Sequence, residues 1–449
     1  MAFSIESEHK VVIIGAGFTG LAAAYELSLH NIPAVVIEKD DAIGGLGGSF
    51  KVGNERLDKF YHHWFNNDCH ALQLAKELNC QSELLYNSAR TSVYYDENFY
   101  KMASPIDVLR FKPLSFLDRI RLGLLALKVK RIKDYRALES ITAKDWLIDQ
   151  CGPEVYRVVW QPLLKGKFGD YASQISAVWF WKKLVLRGGS RDKLAREQLV
   201  YFNGGWAAFA DLIAEKITSV GGEILTHSQV QSLDVTDGAV TGVKLSDGRF
   251  IQADTVIATP SLPVVADIID SFASKEYLDK LRSVEYLANI CLVLEMSHNL
   301  SDYYWINVND LDFPFVGIIE HTNFQSRQKY DNRHIVYLSR YLRPDDKLYS
   351  MSKDQVFEFS VPYIKKMFPN FRDSWVCNYR LFKARYAQPI VDCNYKSKIC
   401  PSKAPIDGLY ITTMAQIYPE DRGTNYAIAE GRKTGKQIAD VFKRNRHGN

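Results

Sequence analysis

The chain has 449 residues, 47% of them hydrophobic and 24% charged, which is enough for two or three folded domains and excludes a disordered or fibrous protein. A formal net charge of +4 is too small to argue for nucleic acid, and no such partner is expected. Seven cysteines, odd in number and without a Cys-x-x-Cys pair, exclude a disulfide framework and a zinc ribbon, so no metal site is expected and a reducing cytoplasm is the simplest compartment. Glu6 and Glu8 stand where a secretory leader would be basic and then apolar, and no run reaches ~18 consecutive apolar residues; neither export nor a membrane span is expected.

Val11–Ile14 is a β-branched run of the kind that forms a buried parallel strand, and Gly15-Ala16-Gly17-Phe18-Thr19-Gly20 follows it directly. Leu21, Ala24 and Leu27 then recur at helical spacing up to a turn at His30-Asn31. Ala34–Ile37 forms a second strand, ending in Glu38 and Lys39. Strand, glycine turn, helix, strand and acid in this order make a Rossmann-type nucleotide-binding unit. Gly15 permits the tight turn, Gly17 lets backbone approach a pyrophosphate, and Gly20 lets helix pack on strand. The helix N-terminus faces the phosphates, while Glu38 accepts from a ribose and repels a 2′-phosphate. NAD and FAD both satisfy this unit. The second loop, Gly44-Gly45-Leu46-Gly47-Gly48, favours FAD, because an extended flavin dinucleotide needs close backbone approach along its diphosphate and ribityl chain.

Leu57–Phe65 should pass beside the flavin. His62 and His63 would point to opposite faces of a strand, and no second ligand pair with metal spacing accompanies them. Either histidine would face the flavin or be structural. Phe116–Lys133 places Leu117, Ile120, Leu124 and Leu127 on one face of a basic helix, a stripe that serves equally for packing on the core or for docking on a membrane surface. Thr142 caps a helix start. Lys165 and Lys167 would suit an anionic substrate, although solvated surface lysines are the commoner use.

Asn203-Gly204-Gly205-Trp206 opens a further helix, followed by strands near Val230–Val235, Val240–Leu245 and Ala253–Pro260. Arg340 and Arg385 are candidate carboxylate or phosphate partners. Gly408–Met414 supplies a last strand, and Gly423-Thr424-Asn425 begins a closing helix.

Taken together, these segments resemble the flavin-containing superfamily that includes amine oxidases, protoporphyrinogen oxidases, phytoene desaturases and UDP-galactopyranose mutases. The resemblance implies an α/β fold: a Rossmann-like FAD-binding domain assembled from three segments (1–75, 196–265 and 395–449), with an α+β substrate-binding domain (76–195 and 266–394) inserted. It implies non-covalent FAD held by Gly15, Gly17, Phe18, Thr19, Gly20, Glu38, Lys39, Gly44, Gly45 and Leu46, with Val230 bordering the adenine and Gly423, Thr424 and Asn425 meeting the flavin ring. The position of Cys393 resembles that of covalent flavin attachment in some amine oxidases, although the surrounding residues do not match. Two departures stand out. Many amine oxidases have arginine where this chain has Leu46, and their turn glycine is absent from Met414-Ala415-Gln416. No catalytic residue is assigned; His62, His63, Arg340 and Arg385 are candidates.

The implied activity is an FAD-dependent oxidoreductase removing hydride from a small-molecule, lipid-soluble substrate, cytoplasmic with peripheral membrane contact through residues 116–133. Two other readings stay open, a redox-neutral isomerase resembling UDP-galactopyranose mutase and a flavin-free isoprenoid-binding protein resembling the GDP dissociation inhibitors.

Overall fold

A computed structural model describes residues 10–190 and 198–447. Its organising element is a five-stranded, wholly parallel sheet in the order Glu223–Leu225, Ala34–Ile37, Val11–Ile14, Thr255–Ala258, Leu409–Ile411. Val11–Ile14 lies in the middle and is buried at all four positions, as expected of a parallel strand covered on both faces. Three separated stretches of chain therefore build one sheet, and the glycine turn leaves its carboxyl edge.

The helix Phe18–Ser28 lies against Gly205–Thr218 and the last helix, Thr424–His447. The approach to the last helix is close: a methyl group on Gly431 would stand 2.2 Å from Thr19 O. Arg432 locks the pair, its Nε donating to Glu26 at 2.8 Å and its Nη1 to Glu77 at 3.0 Å.

The inserted region is built on a seven-stranded sheet in the order Val376–Pro389, Tyr286–Met296, His334–Leu342, Gly317–Glu320, Trp305–Val308, Thr91–Tyr95, Asn98–Lys101. All pairs are antiparallel except Trp305–Val308 with Thr91–Tyr95. Tyr286–Met296 is buried throughout and forms its spine. From the 105–189 stretch, Gln161–Phe168 packs on this sheet, and Ala143–Cys151, whose Thr142 cap accepts from Asp145 N–H at 3.1 Å, packs on neighbouring helices. A smaller sheet joins Trp64–Phe65 to Gln198–Phe202 and Leu84–Ser88.

Phe116–Arg131 is a helix, but the stripe Leu117, Ile120, Leu124 and Leu127 does not pack on the core. All four are exposed, Leu117 at 66%. The face that packs carries Asp118, Leu122, Leu125 and Val129, and Trp181 Nε1 donates to Val129 O at 3.0 Å from the helix Ala177–Gly189. The helix has two apolar faces, and spacing alone does not say which one the core takes. A second departure lies at Met414–Gln416. Glycine is replaced there by a capping box in which Thr413 Oγ1 accepts from Ala415 N–H and Gln416 Oε1 accepts from Thr413 N–H at 2.7 Å.

Candidate active site

Gly15 has φ +96°, a left-handed conformation natural to glycine, and its N–H donates to Ile37 O at 2.8 Å. A methyl group on Gly20 would stand 2.0 Å from Gly15 O, so the helix runs directly beneath the turn. That helix has Gly17 as an N-cap with no side-chain bond and no acid in its first turn. Its positive end is open to a phosphate.

The second glycine loop lies on the first: Gly44 N–H donates to Ala16 O at 2.8 Å, and Gly17 bridges Gly44 in parallel. Glu38, only 6% exposed, stands beside both, one oxygen accepting from Ala16 N–H at 2.9 Å and the other from Asp40 N–H at 3.0 Å. Each carboxylate oxygen keeps a lone pair for a further donor. Ser228 N–H donates to Glu38 O at 2.8 Å, which brings the start of the strand Val230–Thr236 to the acid. Two touching glycine loops, an uncapped helix start and a buried acid fit an extended dinucleotide.

Beyond Leu46 the cradle opens into a cavity of about 310 Å³ between the parallel sheet and the inserted region. Its walls are aromatic, with Tyr61, Trp64, Trp160, Trp179 and Trp305 among them. Tyr61 meets Trp305 edge-on at 4.9 Å, and His62 stacks at 6.1 Å on Trp206, which stacks in turn on Trp64 at 4.3 Å. His62, His63, Gly423, Thr424 and Asn425 complete the floor.

The charged groups of this cavity are mostly cationic: Lys167, Lys183, Arg187 and Arg422 line it, against the carboxyls of Asp68 and Asp421. Asp421 accepts from Trp179 Nε1 at 2.7 Å and Lys183 Nζ at 2.6 Å, and Lys167 Nζ lies 4.0 Å away. Burial opposes the Asp421 carboxylate, yet the ammonium groups of Lys167 and Lys183 hold it well below the usual range. Lys167 stands 4.6 Å over the Trp179 ring; burial, seconded by Lys183 and Arg422, pushes its ammonium well below its ordinary range against the pull of Asp421. Arg422 has neutral partners, donating to Gln388 Oε1 at 2.9 Å and Tyr341 OH at 2.7 Å. Arg187 Nε is buried with no partner among the described residues. Burial, followed by the nearby Arg422 charge, lowers His62 to about 4; burial, followed by Arg187, lowers His63 to about 3. Both imidazoles are neutral near pH 7.

The profile of the family described as flavin containing amine oxidoreductase matches residues 18–414. The chain belongs to that family. This flavin amine oxidoreductase is 26% identical over 301 residues to a lycopene-forming phytoene desaturase of Pseudescherichia vulneris, covering 59% of this chain and 56% of the desaturase. It is 24% identical over 319 residues to coproporphyrinogen III oxidase of Bacillus subtilis, covering 64% and 67% respectively. The match thus spans between half and two thirds of these relatives. Among solved structures, an oxidoreductase from Methanosarcina mazei has a TM-score of 0.75 at 18% identity, covering 95% of this chain and all (100%) of that one. Reduced UDP-galactopyranose mutase has a TM-score of 0.73 at 15% identity, covering 97% and 94%. At these identities the likeness is one of fold. Membership of the family implies a flavin, and the cradle described above fits one.

Within this family member the sequence-derived candidates separate into groups. Gly15, Gly17, Gly20, Glu38, Gly44 and Gly45 meet at the cradle. Phe18 is buried in the fold, 6.1 Å from Phe209, and Thr19 sits under Gly431. Lys39 points to solvent with Asp40 at 2.7 Å. Val230 is buried at the Glu38 end, away from the cavity lining. Arg340 pairs with Asp346 at 3.5 Å and Arg385 is exposed against Tyr386; neither lines the cavity, because both strands turn those positions outward. Cys393 is free and outside the lining.

The cations that do reach the cavity escaped the sequence reading, Lys167 excepted. A signal existed for two of them. Trp179, Lys183 and Arg187 recur every four residues on the helix Ala177–Gly189, one face carrying an aromatic and two cations.

Proposed function

We propose that this chain is an FAD-dependent oxidoreductase that removes hydride from an organic, lipid-soluble substrate. The observation that carries the reading is the aromatic cavity that touches Leu46 of the second glycine loop and the Gly423–Asn425 helix start. In this reading Gly15, Gly17 and Gly20 would hold the pyrophosphate of FAD and Glu38 its ribose, Val230 would border the adenine, and Leu46 and Gly423 would border the ring. It is held without a covalent bond.

When bound, the flavin supplies the two-electron acceptor. The chain's own residues bind, orient and exclude water. Trp160, Trp179 and Trp305 hold an apolar donor against the cavity floor and keep solvent out, which makes the reaction effectively intramolecular. Neutral His62 and His63 add no positive charge beside a hydride-donating carbon. Backbone N–H groups at the start of the helix Thr424–His447 would favour negative charge on a flavin held beside them. The desaturase and coproporphyrinogen oxidase relatives support oxidation of an organic substrate.

We also place the exposed stripe Leu117, Ile120, Leu124 and Leu127 on an anionic bilayer. Phe116 extends it at 65% exposure, and Lys130, Arg131 and Lys133 are exposed at the end of the same helix and just past it. Apolar side chains rimmed by cations complement an anionic lipid surface. All seven cysteines are free, which suits the cytoplasmic side.

The test is anaerobic mixing of the flavin-loaded protein with phytoene in micelles or with coproporphyrinogen III, following bleaching of the flavin and the mass of the product. Bleaching with an oxidised product is expected. A colourless protein that takes up no FAD overturns the reading, and isomerised product formed only after prior reduction replaces it with a redox-neutral one.

A further inference from the structure

Lys183 and Arg187 from the inserted region and Arg422 from the loop before the closing helix outnumber the cavity's two acids, Asp68 and Asp421, even with Lys167 left out. Lys183 is satisfied by Asp421 at 2.6 Å. Arg422 has only an amide oxygen and a phenol as hydrogen-bond partners, Arg187 Nε has none among the described residues, and Lys167, its side chain 16% exposed, shares Asp421 with Lys183 from 4.0 Å. Holding cations away from water without full counter-charge costs free energy that an anionic ligand would offset. The pyrophosphate of a bound dinucleotide does not meet this demand, since Gly15, Gly17, Gly20 and Glu38 lie outside the cavity lining.

We propose that Lys167, Lys183, Arg187 and Arg422 form a subsite for a carboxylate or phosphate on an otherwise apolar substrate. The assignment rests on the cavity being the substrate chamber, as argued above. It separates substrate classes that the fold alone leaves together. A protonated amine would meet the same cations and be repelled. A pure hydrocarbon would fill the aromatic walls and leave Arg187 and Arg422 unmatched. An amphipathic anion answers both halves of the site, its apolar body against Trp160, Trp179 and Trp305 and its charged group between the helix Ala177–Gly189 and Arg422. Arg187 and Arg422 offer planar, paired donors of the kind that grip carboxylate or phosphate oxygens. A bound anion would also return Lys167 to its charged form, opposing the burial that now disfavours it.

The experiment is isothermal calorimetry on the flavin-loaded protein with octanoate, octyl phosphate and octylammonium as probes, repeated on Arg187→Gln, Arg422→Gln and Lys165→Gln. Lys165 is exposed on the same helix as Lys167 but outside the cavity, so its variant controls for net charge. Octanoate or octyl phosphate binds and octylammonium does not; the tighter of the two anions names the group. Arg187→Gln and Arg422→Gln each weaken the anion about ten-fold or more, the loss of one charged hydrogen bond, while Lys165→Gln changes nothing. Octylammonium binding as tightly as octanoate, or octanoate unaffected in whichever arginine variants retain the native circular dichroism, overturns the subsite. Flavin-free protein that still binds octanoate while taking up no flavin overturns the oxidoreductase reading and leaves the subsite standing.

Discussion

Gly20→Ala tests whether the cradle works by close approach of helix to turn. The added methyl would lie 2.0 Å from Gly15 O, 3.2 Å from Gly15 C and 3.3 Å from Ile13 Cγ2. Ordinary contact needs ~3.5 Å, so the first of these must open by more than ~1 Å. The obstacle is backbone, which cannot rotate away as a side-chain tip would. Overpacking of this kind costs about 1–3 kcal/mol of stability. Because Gly15 N–H is fixed to Ile37 O at 2.8 Å, the strain moves the Gly17 end of the turn, where the pyrophosphate would bind. Losing one charged hydrogen bond there costs about 1.5–3 kcal/mol, roughly 10- to 100-fold in flavin affinity. Flavin fluorescence titration of the apoprotein gives the affinity and urea unfolding gives the stability. Unchanged affinity together with an unchanged urea midpoint would refute the close-approach argument.

Glu38→Ala leaves Ala16 N–H and Asp40 N–H without their acceptor and removes the proposed ribose partner; a stability loss of about 1–3 kcal/mol and a marked fall in FAD retention are expected, read by the same two titrations. Arg432→Met removes the cation that Glu26 of the first helix and Glu77 of the helix Cys69–Glu77 share; because the site is partly solvated, about 1–2 kcal/mol is expected from urea unfolding. Leu117→Asp combined with Leu124→Asp should abolish sedimentation with phosphatidylglycerol vesicles at low salt while leaving flavin content intact, and wild-type protein that never sediments removes the docking proposal. His62 gives a pH signature. Its folded pKa is lowered to about 4, so below about 6.5 the unfolded chain binds a proton that the folded chain refuses, and stability is lost as pH falls through that window. His62→Gln should flatten the fall in urea midpoint between pH 6.5 and 4 relative to wild type; parallel profiles would contradict a neutral buried imidazole.

The nucleotide-binding unit was legible because its logic is local. Strand, turn, helix and acid follow one another between Val11 and Glu38, and each residue type answers a backbone requirement of its neighbours. The cationic cavity was not, because its members come from Gln161–Phe168, Ala177–Gly189 and the stretch before Gly423, brought together only by tertiary folding. Arg340 and Arg385 looked equally suitable as isolated residues, and only the facing of their strands removes them. The helix Phe116–Arg131 shows the same limit in another form. Its periodicity was readable, but Leu122, Leu125 and Val129 compete with the outer stripe for the core, and which stripe wins is decided by Trp181 and its neighbours.

The ion pair between Glu26 and Arg432 joins residues 406 positions apart, and the strand Leu409–Ile411 closes the sheet that Val11–Ile14 begins. A growing chain therefore makes its glycine turn first and the elements that cover it last. Through most of synthesis Ala22 and Ala23 lack the helix that will lie on them. Closure over so long a loop is slow, and the uncovered apolar face is open to misassociation meanwhile. On this order flavin capture belongs to the last moments of maturation, and any destabilisation of Thr424–His447 should appear first as poor recovery of flavin-loaded protein rather than as a slower enzyme.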